Sequence, residues 1–336
     1  MTDYEIERND TISWMWNRLV FHFNMESKMV DDIIQRWNEP HRYYHDLNHL
    51  IDILGYLRNQ QLDDDVMFLT AVFHDIVLDP TRDDNEVRSV DVFMEMYHFC
   101  RWDFMSSFRS IEVVDNIMKT QDIESLDGFN RIDKHNLFDS PFSQIINRTI
   151  LLFKEEQFLD YKEWKEKTIK FLRKFSEENH YPNPDIEKVI EFLHWWKPKI
   201  GVYAGSFNPF HKGHYNILQK SEKIFDKVII AIGKNPEKNN EKWDLPNVLK
   251  YHQVENFNGF LTQFMDSLGY DTTLIRGLRN STDLQFEMTQ YAYLQDMKPD
   301  IKIVNIFCDK QFEHISSSAI RSLSKIDSTF KDKYLL

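Results

Sequence analysis

Glycine is confined almost entirely to one stretch of this chain: seven of its nine glycines fall between Gly201 and Gly277, and the first two hundred residues hold only Gly55 and Gly128. Glycine permits the tight turns and close backbone approaches that join strands to helices in short space. The rear of the chain can therefore wind tightly, whereas the front has to be built from long segments. In that front part apolar residues recur three to four apart in Trp14-Met-Trp-Asn-Arg-Leu-Val-Phe21, in Val66–Phe73 and in Trp164–Phe175, the period of a helix. The front is expected to be all-α. Tyr181-Pro-Asn-Pro-Asp185 breaks the pattern, Ile186–Trp196 reads as a connecting helix, and Lys197-Pro-Lys199 ends it. A helical domain over 1–185, a connector over 186–198 and a second domain over 199–336 follow.

The second domain alternates. Strands are predicted at Lys199–Ala204, Lys227–Ile232, Thr272–Ile275 and Ile301–Phe307, with helices at Tyr215–Ile224, Gly259–Leu268 and Asp283–Met297. That order predicts a multidomain protein whose rear part is an α/β doubly wound parallel sheet of Rossmann-like kind. Such sheets bind ligands outside the carboxyl ends of their strands.

Composition excludes some classes. With 42% apolar and 28% charged residues the chain is globular, and its net charge of −13 argues against general nucleic-acid binding, which needs a basic surface. No apolar run approaches the roughly 18 residues of a membrane span, and the acidic start is unlike a targeting peptide, so a cytoplasmic protein is expected. Cys100 and Cys308 lie in different halves with no metal or redox spacing, which predicts two free thiols.

Two rear segments read as anion sites. Ile200, Val202 and Tyr203 build a strand that enters Gly205-Ser206, and His211-x-Gly-His214 leads into the helix expected near Tyr215. His314-Ile-Ser-Ser-Ser-Ala-Ile-Arg321 reads as a second helix start, capped by serine and followed by a cation. Lys238, Arg276 and Arg279 fall at other strand ends. Helix starts present unpaired N–H groups to phosphate, and cations complement a triphosphate. In an in-line attack on an α-phosphorus the leaving pyrophosphate gains charge, so such groups lower the barrier without a side-chain nucleophile.

These residues resemble the nucleotidyltransferase superfamily with a (H/T)-x-G-H signature, and phosphopantetheine adenylyltransferases in particular. Gly-Ser-Phe-Asn-Pro with His211 and His214, Phe225-Asp-Lys-Val-Ile-Ile-Ala-Ile232, Asn235-Pro-Glu-Lys238, Phe257-Asn-Gly-Phe-Leu261, Ile275-Arg-Gly-Leu-Arg279 with Asp283 and Glu287, and Ile315-Ser-Ser-Ser318 carry the resemblance in order. It implies that Ser206 and His214 contact the transferring phosphate. It also implies that Lys238 and Arg276, with Leu261 nearby, hold 4′-phosphopantetheine. Gly205, His211, Arg279, Glu287, Ser316–Ser318 and Arg321 would bind ATP with its Mg2+. A homo-oligomer is implied as well. The family usually has threonine where His211 stands and a Leu-Glu-Glu-Arg helix where this chain has Trp243-Asp-Leu-Pro-Asn-Val248. Nicotinamide mononucleotide as acceptor, or cytidylyl transfer to a small phosphate, therefore stays open.

In the front part, His45 and His49 stand at i and i+4, and His74-Asp75 ends the apolar segment from Phe68. Imidazole and carboxylate ligate divalent metals, and Asp133 follows in Arg131-Ile-Asp-Lys-His135. The order His, His, Asp, Asp resembles the HD-domain metal-dependent phosphohydrolases over roughly residues 35 to 180. The resemblance implies a divalent metal on His49, His74, Asp75 and Asp133, His45 as proton donor, and Glu86 as a partner of a ligand histidine. A regulatory module without catalysis is the alternative. His135 is a further candidate ligand, and Asp63-Asp-Asp65 reads as a solvated helix start.

Overall fold

The computed structural model describes residues 3–102, 107–122, 128–178, 183–233 and 244–336. The chain divides into two compact units. The first is Met1–Glu155 with Lys165–His194, and the second is Glu156–Trp164 with Trp195–Leu336. The division thus differs from a single break near residue 190. The segment expected to connect the domains lies largely in the first unit, and residues 156–164 leave the helical part to join the second.

The described residues of the first unit are helical: α1 (Asp3–Asn17), α2 (Ser27–Trp37), α3 (Leu47–Asn59), α4 (Asp65–Phe73), α5 (Asn85–Phe99), α6 (Ser107–Lys119), α7 (Phe129–Asp133), α8 (His135–Asp139), α9 (Phe142–Glu155), most of α10 (Tyr161–Glu178) and nearly all of α11 (Asp185–Trp195). Helix starts follow from local chemistry. Asp46 accepts the backbone N–H groups of Asn48 and His49, and Asp64 those of Val66 and Met67, so α3 and α4 each begin on an aspartate cap. The middle carboxylate of the acidic run is that cap, and Asp65 pairs with Arg18 at 2.9 Å. Helix α4 carries no polar face: Val66 and all of Phe68–Phe73 are buried, so it forms the axis of the core. Trp37, Leu50, Ile53, Leu54 and Phe93 belong to the same core with no exposed surface. Trp195, in contrast, is 80% exposed and packs no core.

In the second unit the sheet has the order β3-β2-β1-β4-β5, every pair parallel. Its strands are β1 (Ile200–Gly205), β2 (Lys227–Gly233), β3 (Val254–Phe257), β4 (Thr273–Leu278) and β5 (Lys302–Phe307). Between and after them run α12 (Lys212–Ser221), α13 (Leu261–Ser267), α14 (Ser281–Met297) and α15 (Ser317–Ser324). β1 and most of β2 are buried, as parallel strands covered on both faces require, which is why they read as continuous apolar runs. β3 is not among the predicted strands; its four half-exposed residues, Val-Glu-Asn-Phe, give no such run. Helix α12 begins at Lys212, three residues before the expected start, because His211 caps it.

The segment from residue 156 is fixed to the sheet by hydrogen bonds. Lys227, 1% exposed at the start of β2, donates from Nζ to the carbonyl oxygens of Gln157 and Leu159, the latter at 2.8 Å. The Val228 N–H donates to Gln157 Oε1 at 3.2 Å, and the Tyr270 hydroxyl donates to Asp160 Oδ2 at 2.8 Å. Burial pushes the Lys227 ammonium down to about 7.

Candidate active sites

In the second unit the loop leaving β1 and the first turn of α12 form a reciprocal cap. The His214 N–H donates to His211 Nδ1 at 3.3 Å, and the His211 N–H donates to His214 Nδ1 at 3.3 Å. The two rings stack with centroids 3.6 Å apart. A Cβ on Gly213 would stand 3.1 Å from the His211 ring, so a larger residue there would press on this stack. Because each Nδ1 accepts, each neutral ring carries its proton on Nε2. Burial, with the Arg279 guanidinium nearby, brings His211 down to about 4; burial and then the His211 ring hold His214 well below its usual range. The pair is thus two neutral N–H donors near pH 7.

A cavity of about 700 Å³ lies at these carboxyl ends, lined among others by Ser206, His211, His214, Arg279, Glu287 and Ser316–Ser318. Asp283 holds Arg279 through two bonds of 2.8 Å, which fixes the guanidinium plane. Ser316 caps α15 by accepting the Ala319 N–H, Ser317 Oγ donates to the Pro209 carbonyl at 2.9 Å, and Arg321 donates to the Asn208 carbonyl. The second anion segment therefore also clamps the loop of the first. Arg276, Leu261 and Gly205 do not line this cavity. Arg276 Nε lies 3.0 Å from Glu287 Oε2, and Leu261 is the first residue of α13. Glu287 is thus partnered by a protein cation. A Cβ at Gly205 would meet the Phe207 ring at 3.0 Å. Lys238 and Trp243 lie outside the described residues.

In the first unit four elements converge. His49 from α3, His74 and Asp75 after α4, and Asp133 at the end of α7 meet with His45. His49 Nε2 and His74 Nε2 stand 3.0 and 3.7 Å from Asp133 Oδ1, and His74 Nε2 is 3.2 Å from Asp75 Oδ2. The His74 Nδ1–H donates to the Ala71 carbonyl at 2.9 Å, which turns Nε2 toward the carboxylates. Although burial opposes it, the Asp75 and Asp133 carboxylates raise His74 to about 10, and they are themselves held below the ordinary carboxylate range. His74 Nε2 and His49 Nδ1 are buried without a hydrogen-bond partner. Two imidazoles and two carboxylates this close together have the donor set of a divalent cation site.

The sequence does not mark the residue that holds His45. Glu155, 3% exposed, accepts the backbone N–H groups of Tyr43, Tyr44 and His45 at 3.0, 3.1 and 3.1 Å and stands 2.5 Å from His45 Nδ1. Against the effect of burial this carboxylate raises His45 to about 9. Glu86, expected beside a ligand histidine, makes no such bond among the described residues; the Ala71 carbonyl takes that place for His74. His135 turns Nδ1 to the Ile132 carbonyl at 2.8 Å and stacks on Tyr56, and it takes no part in the cluster.

Comparison with known proteins bears on the second unit. A family model described as cytidylyltransferase-like matches residues 202–323. The phosphopantetheine adenylyltransferase of Mycoplasma capricolum is 35% identical over 135 residues, covering 37% of this chain and 96% of that protein. Its counterpart in Cytophaga hutchinsonii is 36% identical over 38% of this chain and 91% of its own length. That of Rhodopirellula baltica is 32% identical, over 38% and 75%.

Proposed function

Through its second unit this chain belongs to the phosphopantetheine adenylyltransferase family, and from that premise we propose that it transfers AMP from magnesium–ATP to 4′-phosphopantetheine, giving dephospho-coenzyme A and pyrophosphate. The observation that carries the reading is the capped histidine pair: two neutral Nε2–H donors at one wall of the cavity, with their hydrogen-bonding direction set by the backbone. The phosphopantetheine phosphate oxygen attacks the α-phosphorus, the bond to the β-phosphate oxygen breaks, and pyrophosphate leaves. His214 and His211 donate to phosphate oxygens as charge builds there, Arg279 is held ready by Asp283, and the Ser316 cap leaves the first N–H groups of α15 facing the cavity. Donors fixed before the reaction cost no reorganisation during it.

Pyrophosphate release from magnesium–ATP tests this, with 4′-phosphopantetheine and nicotinamide mononucleotide offered separately and His214→Ala as control. Removing one such donor costs about 100- to 1000-fold in turnover. Release with nicotinamide mononucleotide alone would move the chain to dinucleotide synthesis and refute phosphopantetheine as the acceptor.

A second observation supports a second activity. The convergence of the His49 and His74 Nε2 atoms on the Asp75 and Asp133 carboxylates suits a divalent metal, and we propose that the first unit is a metal-dependent phosphohydrolase. His49, His74, Asp75 and Asp133 would hold the ion, which would acidify a water and polarise a phosphoryl oxygen. His45, fixed by Glu155, stands 3.9 Å from Asp75 Oδ2 through Nε2 and is placed to protonate a leaving alkoxide. Elemental analysis of dialysed protein checks the metal: His74→Ala should lose it while pyrophosphate release persists. Equal metal content in the variant would refute this ligand set.

A further inference from the structure

The 3₁₀ turn Ser328–Lys333, which follows α15, closes on the first residue of α12. Asp327 starts it by accepting the Thr329 N–H at 2.9 Å. Past its end the Tyr334 carbonyl accepts the Lys212 N–H at 2.9 Å, and the Lys333 carbonyl accepts from Lys212 Nζ at 2.7 Å. Lys212 stands inside the His211–His214 cap. The first N–H groups of a helix have no intrahelical partner, and here those of His211, Lys212 and His214 are all taken within the protein, the middle one by this distant segment. The same segment reaches the second anion site. The Tyr334 ring packs edge-on against His314 with centroids 5.7 Å apart, and His314 stands two residues before the Ser316 cap of α15. Yet no residue of 325–336 is fully buried, and none of 328–336 lines the transferase cavity. The segment therefore adds little to the core and acts at the cavity only through what it holds.

We infer, from the premise of adenylyl transfer, that Ser328–Tyr334 positions the histidine pair: the Tyr334 carbonyl on the Lys212 N–H holds the first turn of α12 in register with the serine turn that starts α15. Each histidine ring is oriented by a backbone N–H of that first turn, so both Nε2–H donors move wherever the turn moves. Donors to a transition state are sensitive to such movement, and a displacement of about 1 Å costs about 100-fold in rate. It is the main chain of Lys333 and Tyr334 that α12 meets, a hold that the burial of side chains alone would not supply.

Lys212→Pro supplies the test. Proline is favoured at the first helical position and lacks the N–H. His211 before it is already extended, at φ −143° and ψ 170°, as a residue preceding proline is required to be. Helix α12 thus keeps its start while both bonds to the segment are lost. Pyrophosphate release should fall about tenfold in kcat, the loss expected for a shift well short of 1 Å. Lys212→Ala, which keeps the N–H, should lose much less. A chain ending at Asp327 should match Lys212→Pro, and the two changes together should cost no more than either alone. A ratio separates misplacement from a smaller folded fraction. Sulfur accepts hydrogen bonds weakly, so donors fixed on one α-phosphate oxygen make the enzyme prefer one diastereomer of ATPαS, and that preference should narrow in Lys212→Pro. Unchanged kcat and diastereomer preference in Lys212→Pro, or losses that add in the double variant, would overturn the inference. Hydrogen exchange keeps it apart from the transfer reading: the amides of Gly213 and His214 should exchange faster in Lys212→Pro and in the shortened chain. Exchange at the wild-type rate would overturn the positioning role whatever the transferase does. Faster exchange, in a protein whose wild type releases no pyrophosphate, would uphold the hold on α12 and refute adenylyl transfer.

Discussion

Replacing Glu155 by alanine should destabilise the first unit more than any single surface change could. Its carboxylate satisfies three backbone N–H groups and pairs with the His45 ring in a site 3% exposed. Each donor left unpaired costs about 1 kcal/mol or more, and the His45 charge left without its partner adds to that, so the loss is about 3–5 kcal/mol. For a unit of this size that lowers the melting temperature by about 10 °C. The pH dependence is specific. The folded pKa of Glu155 lies below its unfolded value of 4.5, so its share is present above that pH and is lost as pH falls through the depressed value. His45 is raised from 6.5 to about 9, so its share is full below 6.5 and is lost as pH rises through 9. The gap between wild type and Glu155→Ala should therefore be widest between the two unfolded values and narrow toward pH 9. Differential scanning calorimetry of chelator-treated protein at four or five pH values measures it. A variant melting within about 1 °C of wild type, or a gap that ignores pH, would refute the assignment of Glu155 as the group that holds this loop.

The transferase should show no ionisation near pH 6.5 from His211 or His214, since both are neutral there; an essential imidazole titrating between pH 6 and 7, removed by His214→Asn, would contradict the donor assignment. Their depressed values also mean that the unfolded chain binds more protons below 6.5, so the second unit should lose stability as pH falls from 6.5 toward 4, and less so in His211→Asn. Lys227, lowered from 10.5 to about 7, makes stability rise with pH between those values; Lys227→Met should flatten that slope, and an unchanged slope in urea titrations at pH 7 and 10 would count against it. Gly277→Ala would place a Cβ 2.9 Å from Ile217 Cγ1 and should cost about 1–3 kcal/mol in the same titrations.

Much of the second unit could be read in advance because its signals are local. The apolar run of β1, the glycine after it and the histidines three apart lie within fifteen residues, and the geometry that unites them spans one turn. The first-unit cluster needed distant residues: His49 and Asp133 are 84 apart in sequence, yet their types, kept in order, named the set that meets. What stayed hidden was whatever tertiary context alone defines. Glu155 sits in Lys-Glu-Glu-Gln at a helix end, indistinguishable from a solvated charge, and Lys227 follows Asp226 just as a surface lysine would. The Arg276–Glu287 pair was invisible for the same reason, since each residue alone suggested a ligand contact. β3 was missed because an edge strand of four residues buries too little to impose a pattern.

The chain passes from one unit to the other at residues 155–156, again at 164–165 and finally at 194–195. No single cut can release the second unit whole: one after residue 194 keeps the first unit entire but takes residues 156–164 away from the second. A fragment beginning at residue 199 would lack the carbonyls of Gln157 and Leu159 that accept from the Lys227 ammonium. Recombination at one crossover would always split the second unit, so its attachment to the first is woven into the backbone and cannot be undone by trimming a linker.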